Sequence, residues 1–125
     1  MKSILLYRLF IVMVAFAMYS CKPAPEIEGF DSKQWKNDPN ACKNQRAKLF
    51  PILEKNKDKL IKVEAGQILK LLGHPDRNEL YKRTQRYYVY FVKSGNQCKG
   101  TKGGFGKMLR LRLDALQRVS EVIVN

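Results

Sequence analysis

The chain has 125 residues, and its 24 Lys and Arg against 11 Asp and Glu give a net charge of +13. A single histidine (His74) and three cysteines without a CxxC pair exclude an ordinary zinc site. Eleven scattered acids exclude a recognisable glycosidase pair, and so basic a balance points to anionic partners.

The first segment sets the address. Lys2 and Arg8 stand without an acid near them, and residues 9–18 (LFIVMVAFAM) are ten apolar residues in a row. A basic start, a short apolar core and a small residue before a cleavage point are the parts of an export signal. The run is too short to span a bilayer comfortably, which takes about 20 residues. Ser20-Cys21 then resembles the lipobox of bacterial lipoproteins, in which the cysteine sulfur is diacylated and becomes the first mature residue. The alternatives are a secreted chain with a free N-terminal thiol at Cys21, or an uncleaved anchor. Several acyl chains make a stable anchor, because each buried CH₂ contributes about 0.8 kcal/mol. Lys22 stands where an Asp would retain a lipoprotein at the inner membrane in some bacteria, so the expected location is the outer membrane, facing the periplasm. Residues 1–20 are thus read as signal peptide, 21–37 as lipidated cysteine and tether, and 38–125 as one domain.

Cleavage removes Lys2 and Arg8, so the 24 basic residues fall by two and the mature net charge is about +11. An exported chain meets no nucleic acid, which leaves the bilayer, anionic lipid headgroups or envelope proteins as partners. With Cys21 acylated, Cys42 and Cys98 are left as a pair in an oxidising compartment, bonded or as free thiols. A bridge would close a 57-residue loop (98 − 42 + 1), worth about 4 kcal/mol in the chain-entropy model.

Residues 22–30 (KPAPEIEGF) hold two prolines and a glycine and read as the tether. Asp38-Pro39 has the form of a helix start, with Cys42, Ala47, Leu49, Phe50, Ile52 and Leu53 as its apolar side and Pro51 as a kink or stop. Residues 64–72 form a second helix, on the dense apolar face of Ile68, Leu69, Leu71 and Leu72. Gly73 is its expected C-terminal residue, and His74-Pro75-Asp76 a turn. Residues 85–93 (QRYYVYFVK) are aromatic and β-branched and read as a central strand, with Tyr87, Val89 and Phe91 on one face and Tyr88, Tyr90 and Val92 on the other. A loop at 94–106 holds five glycines and is mobile unless Cys98 pins it. In residues 107–113 (KMLRLRL) Leu109, Leu111 and Leu113 face inward and Arg110 and Arg112 outward. Residues 118–124 form a last strand, whose inward set is either Val119/Ile123 or Val122/Val124. The expected fold is α+β, with two N-terminal helices packed on a three-stranded antiparallel meander in two layers.

The stretch 63–75, ending Leu71-Leu72-Gly73-His74-Pro75, and the following Tyr88-Val89-Tyr90 resemble the "LLG-x-P" helix and aromatic strand of SmpA/BamE-like lipoproteins. The likeness covers about residues 60–125, in addition to the lipobox at Ser20-Cys21. The longer basic first helix, the Gly-rich loop and the Cys42/Cys98 pair depart from that pattern, and the cysteine-containing variant is similar to lipoproteins of Bacteroidetes-type bacteria. The resemblance implies an accessory subunit of outer-membrane protein assembly, without catalysis and without a cofactor.

Other constellations fail on their residues. The Gly-rich loop has no phosphate-loop spacing, and Met108 stands where Ser or Thr would hold magnesium. His74 has no nucleophile beside it, and Asp76 and Glu79 read as solvated turn charges near Arg77 and Lys82. The candidate surface is the outer sheet face, where Arg110 and Arg112 share space with Tyr88 and Tyr90 or, in the other register, Tyr87. An Arg stacked on Tyr can keep its fork free for phosphate or carboxylate. The expected role is an interaction or scaffold module; the alternative is a periplasmic inhibitor or anionic-ligand-binding domain that probes with the Gly-rich loop.

Overall fold

The computed structural model describes residues 1–17 and 22–125. Lys2–Ala17 form α1, whose apolar side chains from Ile4 to Phe16 are exposed all round. Among the described residues no helix is long and apolar enough to cross a membrane. The rest is α+β. Helices α2 (Ser32–Lys36), α3 (Gln45–Lys55) and α4 (Ala65–Leu72) cover one face of a four-stranded antiparallel sheet. Its strands are β1 (Arg77–Leu80), β2 (Arg86–Phe91), β3 (Met108–Leu113) and β4 (Val119–Val124), in the order β1-β2-β3-β4.

The core lies between these layers. Trp35 of α2, Leu49, Phe50 and Leu53 of α3, and Ile68, Leu71 and Leu72 of α4 meet Tyr90, Leu109, Leu111 and Leu113 of the sheet. Burial of such side chains contributes about 1.5–3 kcal/mol each, which holds the layers together. Helix α4 follows its sequence signals closely. The Gln67 side chain accepts from the Glu64 N–H at its start, and Gly73 ends it at φ 76°, a conformation that suits glycine.

Three helices rather than two pack on the sheet, and the other differences from the expected fold also have physical causes. The sheet has four strands rather than three, because residues 77–80 (RNEL) pair with β2 although they carry no β-branched or aromatic residue. They form an exposed edge, where no alternation of apolar residues is needed. The domain also starts before residue 38. Ile27 is buried, and Trp35 is fully buried on α2, which Asp31 caps by accepting from the Gln34 N–H. Lys22 and Pro23 are tied to α4 through Glu64, Gln67 and Lys70, so the expected tether is packed from its first described residue.

Asp38-Pro39 opens only a 3₁₀ turn at Pro39–Ala41, but Asp38 still caps a helix. Its buried carboxylate accepts from the N–H groups of Lys43, Gln45 and Arg46, at the start of α3. Pro51 sits inside α3 without stopping it, on the exposed side, where its missing N–H removes only one bond from the ladder.

The ambiguity in β4 is resolved by a register shift opposite Arg112 and Leu113. Leu113 pairs with Val119 but Arg112 with Glu121, so Ser120 is the extra residue of a bulge. The bulge flips the parity after one residue. Val119, Val122 and Val124 therefore all face the core side, and Ile123 stands opposite Arg110 on the outer face.

Candidate functional site

The helices cover one sheet face, and the other carries the charged and aromatic side chains. Register fixes its membership: Arg77 pairs with Val89, Glu79 with Tyr87, Tyr87 with Arg112, and Val89 with Arg110. These residues share the outer face with Phe91, Met108, Glu121 and Ile123. Arg110 and Arg112 are there as expected.

Tyr88 and Tyr90 are not. Their partners across the ladder are Leu111 and Leu109, so both tyrosines point into the core, 7% and 0% exposed. Side chains alternate along a strand, and residues paired across a ladder share a face, so the tyrosines opposite the inward leucines had to go inward. The tyrosine that meets the arginines is Tyr87, with the Arg110 guanidinium 4.5 Å above its ring centroid. The Tyr81 ring packs edge-on against it at 5.3 Å. Inside, the Tyr90 hydroxyl donates to the Gly73 carbonyl at 2.8 Å, and burial pushes its ionisation far above the usual tyrosine range, with the neighbouring Tyr88 adding to the shift.

Carboxylates occupy the two expected arginines. Arg110 donates to Glu79 at 2.6 Å. The Arg112 Nε stands 3.1 Å from the Glu121 carboxylate, a pairing of charge without an aligned hydrogen bond. All four side chains are partly exposed, so each pair is worth only about 0–1 kcal/mol. A third arginine on the face is held differently. The Arg77 guanidinium lies 4.5 Å over the Phe105 ring and 5.2 Å over Phe91, which stack at 5.9 Å, and it makes no ion pair among the described residues.

Phe105 belongs to the Gly-rich loop, which is fastened at several points. Cys42 and Cys98 form a disulfide that ties the loop to the segment before α3. The Gln97 amide donates to the carbonyls of Asn40 and Lys93, and Asn96 exchanges hydrogen bonds with Gly104. Gly106 runs so close to the Lys93 carbonyl that no Cβ fits there. The loop is thus a fixed support for Phe105 at the edge of the sheet face.

Three residues behave unlike their expected or unremarked roles. Asp76 is no solvated turn charge: it accepts from Arg46 at 2.5 Å, from the Phe91 N–H at 2.8 Å and from the Asn40 N–H at 3.0 Å. Arg46 and Asp76 are 2% and 4% exposed, a buried pair that joins α3 to the start of β1. Glu79 stands in β1 rather than in a turn and pairs with Arg110 while its side chain stays partly exposed. The signal for Arg46 was present in the spacing, since residues 46, 49, 50 and 53 make one i, i+3, i+4, i+7 stripe with Arg as its only charged member.

His74 is exposed, and among the described residues no cluster of His, Cys, Asp and Glu could hold a metal ion. The lipidation candidate Cys21 lies outside the described residues. No protein-family model, no curated protein and no solved structure matches this chain.

Proposed function

We propose that this chain is a lipid-anchored envelope protein without catalytic activity, facing the periplasm from the outer membrane and working as an interaction module. The observation that carries this reading is the outer sheet face. Three arginines share that face with the rings of Tyr81, Tyr87 and Phe105, the last stacked over the buried Phe91, and among the described residues no helix covers it. Arginine and tyrosine are over-represented where proteins dock, because they combine large contact area with directed hydrogen bonds. The export signal and the lipobox-like Ser20-Cys21 support the anchor and the address, and the likeness of residues 60–125 to SmpA/BamE-like lipoproteins supports a role in outer-membrane assembly or envelope integrity. The second reading, a ligand-binding domain using the Gly-rich loop, draws on the same surface, because the loop's exposed Phe105 borders the arginine layer.

The test is co-purification from native membranes after chemical crosslinking, with Cys21→Ser as the control that releases the chain. The double variant Arg110→Ala/Arg112→Ala should lose the recovered protein partners while its melting temperature changes little, since the contacts removed are half-exposed ion pairs and one surface cation–π contact. Unchanged recovery would remove the outer face from the proposal.

A further inference from the structure

Strand β1 combines two features. Like β4 it is an edge, hydrogen-bonded on one side to β2 and, among the described residues, to no strand on the other. It is also bare on its inner side, where Asn78 is exposed and Leu80 is 89% exposed. Edge strands with free backbone groups are templates for an added strand, and short length and flanking charge normally discourage it. Here β1 is four residues long and is followed by Lys82 and Arg83. Those charges and the chain's net +13 repel another copy of the chain and favour an acidic one.

The outer-facing cation at the start of this edge is Arg77. Arg110 and Arg112 are charge-paired with Glu79 and Glu121, whereas the Arg77 guanidinium lies over Phe105 and Phe91 and, among the described residues, meets no carboxylate. Stacking fixes the plane of a guanidinium while leaving its donors available, which suits a carboxylate that meets it fork to fork. The disulfide and the hydrogen bonds of the loop keep Phe105 in place under it.

We propose that β1 is the docking edge for an extended acidic segment of a partner protein, which adds to the sheet as a fifth strand. In that arrangement the backbone of residues 77–80 pairs with the segment. A carboxylate on the outer side meets Arg77, and an apolar side chain on the inner side covers Leu80. Outward polar and inward apolar side chains then alternate in the segment, with the carboxylate at the position that meets Arg77, because side chains alternate along a strand. This proposal rests on the reading of the chain as an interaction module and names the edge and the chemistry of the partner.

The test uses the full chain in a non-ionic detergent and two dye-labelled hexapeptides, one alternating Glu and Val, the other Lys and Val. Fluorescence anisotropy should show the Glu/Val peptide binding at least about tenfold more tightly than the Lys/Val peptide. Arg77→Gln should weaken the Glu/Val peptide by about tenfold or more, with Leu80→Asp weakening it as well. Hydrogen exchange should show new protection at residues 77–80. Equal binding of both peptides, indifference to Arg77→Gln, or protection elsewhere would overturn the proposal. Light scattering that shows a dimer abolished by Leu80→Asp would also overturn it, by giving the edge to a second copy. Crosslinking in native membranes that recovers the same partners from Arg77→Gln would leave the interaction-module reading standing and remove this edge. Loss of partners in the Arg110/Arg112 variant but not in Arg77→Gln would do the same.

Discussion

Replacing Arg46 by Met isolates the device that joins the helical layer to the sheet. The guanidinium donates to the Trp35 carbonyl at 3.1 Å, to Asp76 at 2.5 Å and to the Phe91 carbonyl at 3.2 Å, and lies 5.0 Å over the Trp35 ring. Methionine keeps much of the packing and removes the charge and every donor. The Trp35 and Phe91 carbonyls lose that donor, and the Asp76 carboxylate, 4% exposed, keeps only the N–H groups of Phe91 and Asn40. Breaking one side of a buried pair costs about 3–5 kcal/mol. For a domain of this size that lowers the melting temperature by roughly 10–25 °C. Asp76→Asn should cost a similar amount, and the double variant should cost about 1–3 kcal/mol less than the sum of the two. Urea unfolding followed through the fluorescence of Trp35, the only tryptophan, measures all three against the unsubstituted chain. A loss below about 1 kcal/mol for Arg46→Met, or strict additivity in the double variant, would refute the view that this pair is buried and coupled.

Reduction of the Cys42–Cys98 bridge, or Cys42→Ala with Cys98→Ala, should lower the unfolding free energy by about 4 kcal/mol, because the bridge closes most of the domain into one loop. Urea midpoints with and without reductant check this; matching midpoints would contradict it. Tyr90 should make stability fall at high pH. Burial raises its folded ionisation above the unfolded value of about 10, so its contribution is intact below that pH and is lost as the pH rises beyond it. Tyr90→Phe should flatten the alkaline limb of the stability curve and, by leaving the Gly73 carbonyl without its donor, cost about 1–3 kcal/mol at neutral pH.

Much of the fold was legible where local chemistry and burial agree. The α4 helix and the β2 and β3 strands follow from strong local patterns, whereas the sequence left Cys42 and Cys98 either bonded or free and the structure shows them bonded. What was hidden depends on partners distant in sequence. Strand β1 is polar and exists because β2 offers it a ladder, and the Val119/Val122 parity depends on a bulge that no spacing of residues announces. The candidate surface was half legible. Arg110 and Arg112 follow from the Leu alternation of β3, but Tyr-Val-Tyr in β2 fits either face until register with Leu109 and Leu111 is known. Arg77, Glu79 and Phe105 could not be placed there at all, because an unrecognised strand and a loop carry them.

The central claim is that the outer sheet face makes the partner contacts. A photo-crosslinking amino acid placed at Phe105, or at Tyr81, tests it most directly in the membrane-anchored chain, with Lys48 on the exposed side of α3 as the comparison. Discrete protein adducts are expected from residues 81 and 105 and none from residue 48. Adducts from residue 48 alone, or none from the sheet face, would contradict it.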